Sequence, residues 1–202
     1  TPYQTQPTTT NQPPTNQNEM DETIGFDLTP PVLLVAYHPV TLEDGTAERH
    51  IDDILSALSQ NGSHCIFIMP NADTGSRIIS QKIQQFVESH RDSKAFVSMR
   101  RELYLNLMRF VSVLVGNSSS GILEAPCFNL PAINIGDRQR GRIQAGNVIH
   151  SNADLASISD AITQALSPSF RESLDTAKAM LSGEDSSKQI VDILEQANLG
   201  EE

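Results

Sequence analysis

Positive charge is scarce in this sequence. Against 25 Asp and Glu there are 14 Lys and Arg, for a net charge of −11 over 202 residues. Such a surface repels nucleic-acid phosphates and anionic membranes, which argues against a non-specific polyanion binder. Hydrophobic residues make up 38%, and no apolar run approaches the roughly 18 residues of a membrane span. Neither nucleic acid nor membrane is therefore an expected partner. No charged-then-apolar segment of the secretory kind opens the chain. It starts at Thr1 rather than Met and reads as a fragment of a longer protein. Only two cysteines occur, Cys65 and Cys127, both in apolar stretches and without metal-site spacing. They are expected as core thiols of a reducing, cytoplasmic compartment, and neither a metal nor a cofactor is expected. Internal repeats are absent.

Residues 1–18 lack any charge and any Val, Ile, Leu, Phe or Met. A stretch of Thr, Gln, Asn and Pro cannot offset its ordering entropy by burial, so 1–20 is expected to be a disordered tail or linker and the domain to occupy 21–202.

From Asp21 onward the texture becomes regular. The apolar run "VLLVAY" (32–37) reads as a strand buried on both faces. Next, "AERHIDDILSALSQNG" sets Ala47, Ile51, Ile54, Leu55 and Leu58 on one helical stripe, with Gly62 placed to end it. Further strands are predicted at 65–69, 94–98, 111–115, 131–135 and 147–150. Between them lie helices at 76–90 (Ile79, Ile83, Phe86 and Val87 inward), 101–110 and 120–128. The last third reads as helices at 154–166, 171–181 and 187–198. Strands alternating with helices at this spacing predict an α/β fold, a Rossmann-like doubly wound parallel sheet. In the order 3-2-1-4-5-6, the first and fourth predicted strands are neighbours where the winding reverses, and ligands bind at the carboxyl ends there. The loops after residues 37 and 115 should then meet.

Both loops are polar. "GNSSSG" (116–121) leads into a helix; its N–H groups, the helix dipole and the hydroxyls of Ser118, Ser119 and Ser120 suit an anion, and Gly116 and Gly121 allow close approach. It reads equally as an N-cap with more hydroxyls than a cap needs. Having no lysine, it is not a P-loop. Glu124, one turn on from Ser120, suits vicinal ribose hydroxyls, or is a solvated first-turn carboxylate. "GDRQRGR" (136–142) concentrates arginine, Arg138 first, either toward phosphate oxygens or in ion pairs with Asp137 and its neighbours. His38, followed by Pro39, is placed to donate to phosphate or to act as acid or base, or is a satisfied core histidine. "PNADTGS" (70–76) offers Asn71 and Asp73 to a sugar, or forms a turn and caps the next helix.

In this order, "YHPVTLE", "PNADTGS", "VGNSSSGILEAP" and "PAINIGDRQRGR" resemble the C-terminal domain of hydrolysing UDP-N-acetylglucosamine 2-epimerases of the sialic-acid-pathway type. The likeness runs from about Asp21 to the C-terminus. It implies the C-terminal half of a glycosyltransferase-B-type fold, with a UDP-sugar held between this half and an N-terminal Rossmann-like half, and a homo-oligomer at full length. Carried over by motif, Ser118 and Ser119 match diphosphate-binding serines, Glu124 the ribose carboxylate, and Arg138 the arginine after the fifth strand. His38 matches the histidine near diphosphate and reacting sugar, and Met99 lies where the uracil is framed. The non-hydrolysing relatives carry a His-Arg motif and an Asp-Ser-Gly-Gly loop instead, and this sequence departs from both. The resemblance implies activity on UDP-N-acetylglucosamine in a longer chain and little or none in this half alone. A relative acting on UDP-diacetylbacillosamine or a GDP-linked sugar, and a non-catalytic nucleotide-sugar-binding module, remain the alternatives.

Overall fold

The computed structural model describes residues 3–4, 14–29, 31–40, 46–71, 75–174 and 186–196. Seven strands form one sheet: β1 (Tyr3–Gln4), β2 (Val32–Ala36), β3 (His64–Ile68), β4 (Ser93–Phe96), β5 (Val113–Gly116), β6 (Ala132–Ile135) and β7 (Val148–Ser151). Their order is β1-β4-β3-β2-β5-β6-β7, and every pairing is parallel. Without the two-residue β1, this is the doubly wound order 3-2-1-4-5-6 supposed above.

Alternation within β2 shows why it is apolar throughout. Leu33 and Val35 join a core layer with Ile51, Ile54 and Leu58 of α2 (Ala47–Asn61) and Ile79, Ile83 and Phe86 of α3 (Ser76–Ser89). Val32 and Leu34 face a second layer with Leu103 and Leu107 of α4 (Arg101–Leu107). A parallel sheet covered on both faces has no polar side, so the strand has no polar alternation. α6 (Leu155–Leu166) closes the first layer through Ile158 and Ile162, its N-terminus capped by Asp154. No helix among the described residues is long and apolar enough to cross a membrane.

Four expectations need correction. The stretch expected to be disordered is not so at 3–4, where β1 pairs with β4, nor at 17–20: α1 (Gln17–Ile24) starts there, with Met20 and Ile24 fully buried. The Asn16 side chain accepts from Glu19 N–H (3.0 Å), and Glu19 reaches back to Thr15 N–H (2.8 Å). Such reciprocal capping starts a helix that has only two core residues to hold it. The helix expected at 120–128 is two pieces, α5 (Ser120–Leu123) and a 3-10 turn (Ala125–Phe128) with Pro126 in its first positions. Proline lacks the N–H that would have continued the helix. The helix expected from 171 begins earlier, as α7 (Pro168–Glu172), because Ser167 caps it and Pro168 suits its first position; past residue 174 its predicted extent lies outside the described residues. The 187–198 helix appears as α8 (Ser186–Gln196). Finally, Cys65 is buried, its thiol pushed up to about 12 by burial, whereas Cys127 is exposed rather than a core thiol. It sits on the outer side of the 3-10 turn.

Candidate functional site

β2 and β5 pair in register as far as Ala36 and Gly116. The last rung is tight. A Cβ on Gly116 would lie 2.1 Å from the Ala36 carbonyl oxygen, and the residue has φ +142°. Only glycine fits that approach. Gly121 is confined for another reason: its Cβ position is 3.2 Å from the Ala132 Cβ, which sets α5 close on β6. Gly121 is therefore buried behind the loop rather than exposed on it.

Past that rung the three exit loops are tied together by Asn117, which is fully buried. Its side chain bonds the main chain of His38, and its carbonyl accepts from Arg138 Nη1 (3.2 Å) and Gln139 Nε2 (2.7 Å). Beside this tie opens a cavity of about 420 Å³. His38, Asn71, Met99, Ser118, Ser119, Ser120, Glu124 and Arg138, drawn from the exits of five segments, all line it, and Gly121 does not. Asp73 lies outside the described residues.

The chemistry around this space is uneven. On one side, the N–H groups of Ser118 and Ser119 have no hydrogen-bond partner among the described residues, while that of Ser120 is turned to Ser118 Oγ (3.3 Å). The dipole contribution anticipated from the following helix is corrected by α5 having only four residues. A macrodipole sums over aligned peptides, so a single turn supplies little beyond its own N–H groups. Arg138 is exposed at the cavity, and its neighbour Arg140, not Arg138, makes the ion pair with Asp137 (3.8 Å). On the other side, Glu124 is not a solvated carboxylate: Oε1 lies 3.8 Å from Arg101 Nη2, and Oε2 is buried with no hydrogen-bond partner among the described residues. A buried carboxylate oxygen left unpaired is costly, so a donor reaching it from the cavity would be favoured. His38 is half-buried, its Nδ1 3.5 Å from the Asn71 N–H.

Four residues at the site escape a reading of the sequence. Arg101 and Tyr104 come from α4, and both line the cavity. Burial pushes the Tyr104 phenol above its ordinary value; its hydrogen bond with Ser120 opposes this, and the Glu124 charge adds to it. In sequence both belong to a short amphipathic helix, which carries no signal of a site. Asn117 and Gln139 stand inside the quoted motifs, but their partners are main-chain atoms of other loops.

Comparison with known proteins fits this geometry. The sequence matches the family described as UDP-N-acetylglucosamine 2-epimerase over residues 7–195. It is 42% identical over 118 residues to the polysialic acid biosynthesis protein P7 of Escherichia coli, covering 57% of this chain and 30% of that protein. It is 35% identical over 139 residues to the GDP/UDP-N,N'-diacetylbacillosamine 2-epimerase (hydrolyzing) of Campylobacter jejuni, covering 67% of this chain and 36% of that protein. By fold it is similar to the UDP-GlcNAc 2-epimerase from Neisseria meningitidis solved bound to UDP-GlcNAc, with a TM-score of 0.70 at 16% identity, over 89% of this chain and 49% of that one. The aligned region thus spans less than half the length of each of these proteins. The arrangement is that of glycosyltransferase-B-like epimerases.

Proposed function

The chain belongs to the UDP-N-acetylglucosamine 2-epimerase family, and on that premise we propose that it is the UDP-binding half of a hydrolysing 2-epimerase. One observation carries the reading: phosphate-suited groups and a ribose-suited carboxylate, from segments far apart in sequence, line one cavity at the point where the strand order reverses. In this assignment the Ser118 and Ser119 N–H groups, their hydroxyls and Arg138 hold the diphosphate. Glu124 receives the ribose hydroxyls, Met99 frames the uracil, and His38 stands at the β-phosphate beside the reacting sugar. Asn71 is near the sugar.

The reaction proposed is anti elimination across C1–C2 of UDP-N-acetylglucosamine. A base removes the C2 proton, the C2–H electrons form the C1–C2 double bond, and the C1–O bond breaks with its electrons left on the β-phosphate of UDP. Water then adds across the 2-acetamidoglucal, hydroxyl to C1 and proton to C2, giving N-acetylmannosamine. Developing charge on the leaving diphosphate falls on donors already aimed at it, which is where preorganised electrostatics lowers a barrier most. The C2 base is assigned to an N-terminal Rossmann-like half, so this chain alone binds UDP and turns nothing over.

A second reading has its own support: the Campylobacter jejuni relative is named for a diacetylbacillosamine substrate. Incubating the protein at natural length with UDP-N-acetylglucosamine, and separately with UDP-diacetylbacillosamine, separates the two. Release of UDP and N-acetylmannosamine from the first supports the proposal; turnover of only the second replaces it. For this chain alone, UDP should raise Tm more than UMP does. Equal shifts would remove the β-phosphate from Ser118 and Ser119.

A further inference from the structure

The ladder between β2 and β5 ends at Ala36 and Gly116, yet the two loops beyond it stay in step. The next rung is built by a side chain. Asn117 Nδ2 donates to the His38 carbonyl (2.8 Å), and the His38 N–H donates to Asn117 Oδ1 (2.8 Å). A carboxamide carries the same donor and acceptor as a peptide unit, so it can stand in for one in a ladder. The substitution has a consequence for the backbone. With the side chain serving His38, the residue's own carbonyl is free to point elsewhere, and it takes bonds from Arg138 and Gln139.

We propose that Asn117 is a positioning residue that fixes His38 and Arg138 relative to each other, and so sets the preference of this site for a diphosphate over a monophosphate. The proposal rests on the assignment of both residues to the diphosphate of UDP. Asn117 is fully buried and absent from the cavity wall, so it acts through the two groups it holds. Pro39 restricts the His38 backbone from the other side, since a residue before proline is confined to extended conformations. Between that restriction and the two-point clamp, the His38 main chain has one attitude. Its Nδ1 lies 3.5 Å from the Asn71 N–H. Gln139 is almost fully buried and spends its amide on the same carbonyl, holding the loop after β6 where Arg138 leaves it.

The experiment measures Kd for UDP and for UMP by calorimetry on the 202-residue chain, with Tm recorded for each variant. The proteins are wild type, Asn117→Ala, Asn117→Ser, His38→Ala, Arg138→Ala and the double variants of Asn117→Ala with each of the last two. Asn117→Ser keeps a hydroxyl in place of the carboxamide and guards against loss of folding in Asn117→Ala. Expected is a fall of about tenfold in the UDP-over-UMP preference for both Asn117 variants, with UMP affinity within about twofold of wild type. In the His38→Ala or Arg138→Ala background most of that fall should be gone, since coupled residues do not add. If Asn117→Ala and Asn117→Ser lower Tm and weaken both nucleotides alike, or leave the preference unchanged, Asn117 is a packing residue only and the proposal is overturned. If the wild type itself prefers neither nucleotide, the assignment of the diphosphate fails, and the role of Asn117 fails with it. An impaired His38→Ala or Arg138→Ala combined with a fully additive Asn117→Ala leaves that assignment standing and overturns the positioning role alone.

Discussion

α2 and α5 both follow the two central strands of the sheet, and they are held in place by different means. α2 runs fifteen residues and buries Ile51, Ile54 and Leu58 in the first core layer. Each such side chain contributes about 1.5–3 kcal/mol by leaving water, so the helix is held by its side chains. α5 runs four residues and is held largely by its backbone: Gly116 pressed on Ala36, Gly121 set against Ala132, and the Asn117 clamp. Where close backbone contacts, one buried carboxamide and the single core residue Ile122 fix a segment's path, its hydroxyl side chains are released from packing. Ser118, Ser119 and Ser120 are only half-buried and line the cavity, whereas most of the α2 stripe has no polar work to do.

This contrast can be broken by substitution. The largest effect is expected from Gly116→Ala, where the added carbon meets the Ala36 carbonyl oxygen at 2.1 Å with φ at +142°. Stability should fall by more than about 4 kcal/mol in urea unfolding; a loss under about 1 kcal/mol would show that the backbone frame yields. Ile54→Ala removes a fully buried side chain from α2 and should cost about 2–5 kcal/mol. The folded protein should keep the nucleotide preference of wild type in calorimetry, because α2 is held independently of the clamp. Arg138→Ala reverses the pattern: UDP binding should weaken by about 1.5–3 kcal/mol, with stability nearly unchanged for an exposed side chain. The smallest effect belongs to Glu124→Ala. Discrimination between UDP and 2'-deoxy-UDP should drop by about 1.5 kcal/mol, the low end for a hydrogen bond to a charged group, in a competition assay. Unaltered discrimination would detach Glu124 from the ribose.

The same contrast explains what is legible in the sequence. Long elements announce themselves: the α2 and α3 stripes and the unbroken apolar strands predict the parallel sheet, and the doubly wound order supposed for it puts the reversal between β2 and β5, where it is found. Most residues expected around the cavity come with them, because they sit in loops after apolar runs; Met99 comes only from the family resemblance, and Gly121 turns inward. The failures share a cause. α1 has two core residues and is started by a capping network at Asn16 and Glu19, a signal that passes for mere polarity. α5 is shorter than its pattern implies because the periodicity continues past Pro126 while the hydrogen bonds do not. Asn117, Gln139 and Tyr104 work through contacts between segments, which no local pattern encodes.

The closeness of Gly116 to Ala36 also governs which mutational routes are open to a lineage. A frame that rejects even a methyl group at its narrowest point must be inherited whole, so change is channelled into the neighbouring hydroxyls, the arginines and the α4 residues along the cavity. A new ligand preference can then arise by exchanging groups along the cavity one at a time, without any step that passes through an unfolded ancestor.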